Sequence, residues 1–560
     1  MEKIKKLITP TNNKLEDDLV NLKKSLLGKL CPNIEDPRFG GKIAYDFDEL
    51  INQFSILPVD GYEPNYVLSE IIGKLCKYVP NWRSPNLHYN VGAPINIVSS
   101  MAYSFALENN IFTINNALSG NTLIAESAVT NILSSLAGLN PDSTIGWFTF
   151  GGTGINLYGL KVGINKSAPL SRKNGINKNV KVFTTKNAHF GHFISTEWLG
   201  VGTDNVIIID ANKDGTTNIS DFKNKLEYEI RNNSIIGCIY LNGGTSYNHI
   251  VDDIDEFVKF RDELTTKYQL SYKPHIHVDS VIGWFWLFFK GYNFIKNPLQ
   301  IEEIILQKIK SQYVRISKIK FADSWGADFH KGIGGCPVDS SIFILNKKSD
   351  ADLISKKLDS NIHMHQIAEE FSSDSPINYT LENSRSAGPM LSALASLMSM
   401  GKNGYRKYLS TLIHYSEMLK LQLIQDPHFY SCDKYNLGYV AMIRLYPDFM
   451  PCEKIGKDIN SKSNNIIAIN EYNRLFFNWD YNKRISVSNG VEYSYSTSFM
   501  TNDNGIGIHA LKFYLTSPLL TKENITNCAM TLQKLKKEFD QLVNKNHLRM
   551  FSSNWKVKCM

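Results

Sequence analysis

From about residue 143 the chain alternates short apolar runs with helix-period stretches, and few architectures accept that alternation. STIGWFTF, VKVFTT, NVIIID, IIGCIYL and HIHVD are rich in β-branched and aromatic residues and read as buried strands. Between them, GINLYGLKVGI, ISDFKNKLEYEIR and DIDEFVKFRDELTTKY carry apolar residues at helical spacing. Strands that are apolar throughout, separated by helices, predict an α/β fold with a mostly parallel sheet covered on both faces. In such sheets ligands sit beyond the C-terminal strand ends, so the loops that follow strands are where chemistry is expected.

The flanks read differently. Residues 1–90 form a partly helical arm, with LEDDLVNLKKSLLGKL and LSEIIGKLCKYV interrupted by proline-containing stretches. The arm has little core of its own and is expected to pack on a partner subunit. A helical segment at about 386–425 links the large unit to a smaller C-terminal one of α+β character. The expected division is therefore 1–90, 91–395 and 396–560.

A net charge of +7 spread over 560 residues, with no dense basic run, argues against nucleic-acid binding. The eight cysteines include no CxxC pair, which leaves zinc ribbons and thioredoxin-like chemistry without support and no metal is expected. Reduced thiols and a start without an apolar signal core predict a cytoplasmic protein. The apolar run VIGWFWLFF at 281–289 falls short of the about 20 residues a membrane helix needs, so no membrane association is expected.

Five loops carry candidate chemistry. TFGGTGIN (149–156) follows a strand and opens a helix; Gly151 and Gly152 admit an anion to the backbone, and Thr153 adds a hydroxyl at the helix N-terminus. NAHFGHF (187–193) presents His189 at a strand end, where its ring can stack on a flat ligand; His192 is less suited to face the site. GGTS (243–246) brings Thr245 and Ser246. HIHVDS ends a strand on Asp279, a costly place for a carboxylate without a partner. FADSWGADFHKGIGGCP (321–337) places His330 and Lys331 before a glycine-rich turn, where loss of hydration favours the neutral amine. Alone, each has a plain structural reading as a turn, a capping histidine or a surface lysine. In this order they form the donor set of a pyridoxal phosphate (PLP) site: an anion loop, a stacking ring, a carboxylate for a pyridine nitrogen and an amine for an aldehyde. Arg385, in NYTLENSRSAGP, can bind a substrate carboxylate or a phosphate bidentately, or serve equally well in a structural ion pair.

In that order the motifs resemble the group II PLP-dependent amino-acid decarboxylases, of the aromatic-amino-acid and glutamate decarboxylase type, over roughly residues 90–540. GGT (151–153), AHF (188–190), GGTS (243–246), HVDS (277–280) and DFHK (328–331) carry the resemblance, and TLENSRS is similar to a segment of bacterial members. It implies an aminotransferase-like (type I) fold, a homodimer and loss of CO2 from an L-amino acid to give the amine. It also implies that Lys331 holds PLP as a Schiff base, that Asp279 pairs with the ring nitrogen and that His189 stacks on the ring. Gly151, Gly152 and Thr153 would bind the phosphate, with Thr245, Ser246 and His330 nearby.

The sequence departs from the family in places. Ile194 stands where a lysine is usual, residues 284–318 imply an insertion, and 338–377 contain no tyrosine to supply the usual catalytic acid. His363, His365 and Tyr379 are the candidate substitutes. Without that acid, oxidative decarboxylation-deamination to an aldehyde, a carbon–carbon lyase step, or PLP binding without turnover are the alternatives.

Overall fold

The computed structural model describes residues 14–40, 47–356, 375–432, 436–459, 465–484, 490–502 and 505–545. They fall into two compact units: one drawn from Val91–Met418 and Asp433–Met442, the other from Met1–Asn90, Leu419–Cys432 and Ile443–Met560.

Twelve strands are found among the described residues. The first, β1 (Leu87–His88), belongs to the smaller sheet. The next seven build the larger sheet: β2 (Ile145–Thr149), β3 (Val180–Thr185), β4 (Val206–Ile209), β5 (Ile235–Asn242), β6 (Ile276–Asp279), β7 (Ser324–Asp328) and β8 (Ser341–Leu345). Their order is β2-β8-β7-β6-β5-β3-β4. Neighbours are parallel from β7 across to β4, while β8 runs antiparallel to both β7 and β2. The sheet is thus mostly parallel, as the alternation predicts. Two reversals through β8 return β2 to the direction of β7, so its C-terminal end emerges on the same edge. The central strands are apolar along their whole length because helices cover both faces: Phe183, Ile239, Val278 and Trp325 are all fully buried. Helix Gly152–Ser167 is seated on this sheet through Gly159, where a Cβ would run into the His277 ring.

The smaller sheet adds β9 (Phe429–Ser431), β10 (Val440–Leu445), β11 (Glu492–Ser496) and β12 (Ala510–Tyr514), in the order β1-β11-β12-β10-β9. Here the arm finds its partners. β1 pairs in parallel with β11, Arg38 meets Glu492 at 3.1 Å, and Arg484 bridges Glu492 and Asp480 at 3.1 and 2.8 Å. The compact units therefore differ from the expected three-part division. The arm shares a unit with the C-terminal segment, and the boundary expected at 395 falls inside helix Gly388–Leu423, which runs on through a kink at Gly401 (φ 58°). Among the described residues no helix is long and apolar enough to cross a membrane.

Candidate active site

Four of the five loops follow strands that end on one edge of the large sheet, and the fifth, after β2, joins them through the double reversal. Together they line a cavity of about 270 Å³. Gly151, Gly152, Thr153, His189, Thr245, Ser246, Asp279, His330 and Lys331 all face it, joined by Asn156, Asn242, Gly244, Val281 and Ile282. Gly151 takes φ 88°, a backbone open to glycine and strained for other residues, to turn the chain from β2 into helix Gly152–Ser167.

Asp279 closes β6 and is buried. Its Oδ2 accepts from His192 Nε2 at 3.0 Å and from Asn156 Nδ2 at 3.1 Å. Burial by itself would raise the pKa of this carboxyl. The His192 hydrogen bond and the charges of His192, His189 and Lys331 outweigh it and hold the group below the usual carboxylate range. His192 is fixed in turn: Thr184 Oγ1 lies 2.8 Å from its Nδ1, and its ring stacks on Tyr240 with centroids 4.1 Å apart. With Asp279 ionised, Nε2–H donates to it, and the Thr184 hydroxyl pairs with the other ring nitrogen. His189 and not His192 lines the cavity, as expected, but the buried His192 supports the site from beneath through Asp279.

His189 stands exposed at the cavity, its Nδ1 accepting from Gly191 N at 3.0 Å. Loss of solvation, reinforced by the charges of Lys331 and His192 and only partly offset by Asp279, lowers its pKa, so the ring is neutral. Thr245 sits in a loop closed by Asp252, whose carboxylate accepts from Asn242 N at 2.8 Å and Thr217 N at 3.0 Å.

Lys331 Nζ lies 2.7 Å from Asp328 Oδ2, and Asp328 is fully buried. Burial opposes the ammonium, yet Asp328, helped by Asp279, raises the pKa of the lysine. The neutral amine expected from shelter alone is therefore replaced by an ion pair. The backbone here is clamped: Ala93 N donates to His330 O at 3.0 Å and Gly332 N to Val91 O at 2.6 Å.

Arg385 is not among the cavity residues. It is buried, pairs with Glu126, and donates to Thr113 O and Phe148 O at 3.3 and 3.0 Å. Its guanidinium is occupied by the interior, so of the two readings open to it the structure shows the ion pair and not the contact with a substrate carboxylate. Tyr379 stacks on Trp147 beside a different cavity (centroids 5.8 Å, 16° between planes). His363 and His365 lie outside the described residues. His275, Asp323 and Asp350 cluster within 4.8 Å, but Lys166 and Arg261 already neutralise the two carboxylates.

No family model matches the chain. Among curated proteins it is 29% identical over 203 residues to serine decarboxylase 2 of Oryza sativa subsp. japonica, covering 35% of this chain and 39% of that protein. It is 25% identical over 236 residues to L-2,4-diaminobutyrate decarboxylase of Rhizobium meliloti (strain 1021), covering 42% and 40%. The chain spans about two fifths of the length of these relatives. The crystal structure of Oryza sativa TDC with PLP and tryptamine matches with a TM-score of 0.71 at 12% identity, over 94% of this chain and 96% of that one. The fold is the aminotransferase-like, type I fold of PLP-dependent decarboxylases. The resemblance carried by the motifs is borne out by these comparisons.

Proposed function

We propose that this protein is a PLP-dependent decarboxylase that releases CO2 from an L-amino acid to give the amine. One observation carries the reading: Lys331 and a charged, buried Asp279 face the same cavity. The donor set fits the cofactor. An amine is available for its aldehyde, a held carboxylate for its ring nitrogen, and a glycine turn at a helix N-terminus for its phosphate. Decarboxylases of similar sequence, and one of the same fold whose structure contains PLP, support the assignment.

PLP, when bound, supplies an electron sink for the carbanion left by loss of CO2. The chain supplies the rest. Lys331 would hold the cofactor, and Asp279, kept ionised by His192 and Asn156, would hold the ring nitrogen's proton. His189, neutral and open to the cavity, offers a flat face for stacking. Gly151, Gly152 and Thr153 would bind the phosphate, and Thr245 and Ser246 present hydroxyls close by.

The reading is tested by incubating the protein and PLP with L-amino acids, serine and 2,4-diaminobutyrate included, and weighing the products. A product lighter by CO2, absent with Lys331→Ala, is expected. An aldehyde with ammonia and peroxide, or no turnover beside a Lys331-dependent absorbance, overturns the amine-forming reaction.

We also propose a homodimer in the cytoplasm. Ile97, Met101 and Phe105 recur one turn apart along helix Ile97–Glu108 and are each about 60% exposed, an apolar stripe suited to a second copy. On the arm, Ile51, Ile56 and Leu57 are likewise exposed. The described cysteines are free thiols, which suits a reducing compartment.

A further inference from the structure

We propose that Asp328 is a catalytic residue: it takes the proton of Lys331 when the amine reacts, holds it inside the site, and returns it when the lysine is released. The proposal rests on the reading of Lys331 as the group that attaches an aldehyde, and it gives a role to the first residue of the DFHK motif, to which the sequence reading assigned none.

Asp328 is fully buried, and neither carboxylate oxygen accepts a hydrogen bond from a backbone N–H or a neutral side chain among the described residues. Its close cation is Lys331 Nζ, 2.7 Å away; His330 Nε2 stands farther off at 3.9 Å. A buried carboxylate with one partner cannot lose that partner's charge without a large electrostatic cost. Yet an ammonium is not a nucleophile, so Lys331 must give up a proton to react. Moving that proton to Asp328 meets both demands. One N–H bond breaks at Nζ and leaves its electron pair on nitrogen, one O–H bond forms on Asp328, and the pair is neutral overall before and after.

Other bases facing the lysine are engaged. Asp279 is committed to His192 and Asn156. His189 already accepts through Nδ1 from the Gly191 amide, and His330 is directed to Ser341 Oγ at 3.4 Å. The placement of Asp328 is built in. It is the last residue of β7, registered against Ser341 of β8, and Lys331 follows three residues later. At Gly152 a Cβ would stand 3.0 Å from Asp328 Oδ2 and 3.5 Å from Lys331 Nζ, so the ion pair is roofed by the glycine turn.

The test uses cofactor-free protein, labelled with formaldehyde and cyanoborohydride across a pH series, with methylation at each lysine read by peptide mass. In the wild type the Lys331 midpoint should lie above those of the exposed Lys178 and Lys213. In Asp328→Asn it should fall by about one pH unit or more, because desolvation then acts without a counter-charge; Asp328→Glu should restore the high midpoint. A wild-type midpoint at or below the two reference lysines overturns the proposal even if Asp328→Asn does not fold, and so does a variant profile that does not move. In a separate arm, PLP and borohydride are added to wild type. Failure to trap PLP on Lys331 there removes the cofactor reading while the pairing test still stands.

Discussion

His192 and Asp279 share a hydrogen bond of 3.0 Å that decides the charge at the base of the cavity. His192→Phe keeps the stack on Tyr240 and removes the donor. Hydrogen bonds to charged groups contribute about 1.5–3 kcal/mol, so PLP binding should weaken by roughly 10- to 100-fold, measured as Kd by absorbance titration. The acid limb should move as well. Asp279 has a depressed folded pKa, so its contribution is full above the unfolded carboxylate value of about 4 and is lost as pH falls through the depressed one. In His192→Phe that loss should begin at a higher pH.

Arg385 separates a structural role from a substrate role. Removing one partner of a buried ion pair costs about 3–5 kcal/mol, since the other charge is left unpaired. Arg385→Ala should therefore lower the thermal midpoint sharply, and Arg385→Ala with Glu126→Ala should recover much of the loss. A rise in KM at unchanged stability would instead place the guanidinium on the substrate.

Asp252 ties stability to pH in the opposite sense from Asp279. Desolvation, outweighing its hydrogen bonds to Asn242 and Thr217, raises its pKa to about 6. The folded state then binds the proton more tightly than the unfolded state does, so this group's contribution declines as pH rises from 3.8 through about 6 and is constant above. The span corresponds to about 3 kcal/mol. Asp252→Asn presents an amide donor to one of two backbone N–H groups and should cost roughly 1–3 kcal/mol. In paired denaturant titrations, the advantage of wild type over this variant should shrink between pH 4 and pH 7. Thr245, held in the same loop, should lose PLP affinity with it.

The apolar stripe of helix Ile97–Glu108 gives a hydrodynamic prediction. Sedimentation should return twice the chain mass, and Phe105→Glu should raise the dimer dissociation constant by at least about tenfold, since burying an unpaired charge is costly. A monomeric wild type at working concentration would remove the dimer from the proposal.

What could be read from the chain alone follows from which interactions are local. A strand end followed by a glycine turn is a local pattern, so Gly151, Asp279 and Lys331 were placed at one edge by alternation and chain order. Arg385 could not be placed in that way: an arginine in a loop reads the same whether it meets a ligand or Glu126, 259 residues earlier. His192 was read only as less suited than His189 to face the site; its bond to Asp279, 87 residues later, is not a local pattern. Lys331 was given the wrong charge because burial alone points to the neutral amine, whereas Asp328, within its own motif, reverses the sign.

The clamp on the backbone around Lys331 has a mechanical meaning. With His330 and Gly332 hydrogen-bonded to the strand-like segment at Val91–Ala93, the main chain is anchored on both sides of the lysine. In the role proposed for Lys331, the movement that attachment and release require falls to the four methylenes of its side chain rather than to the main chain. In the proposed role, the lysine is a short tether on a fixed post.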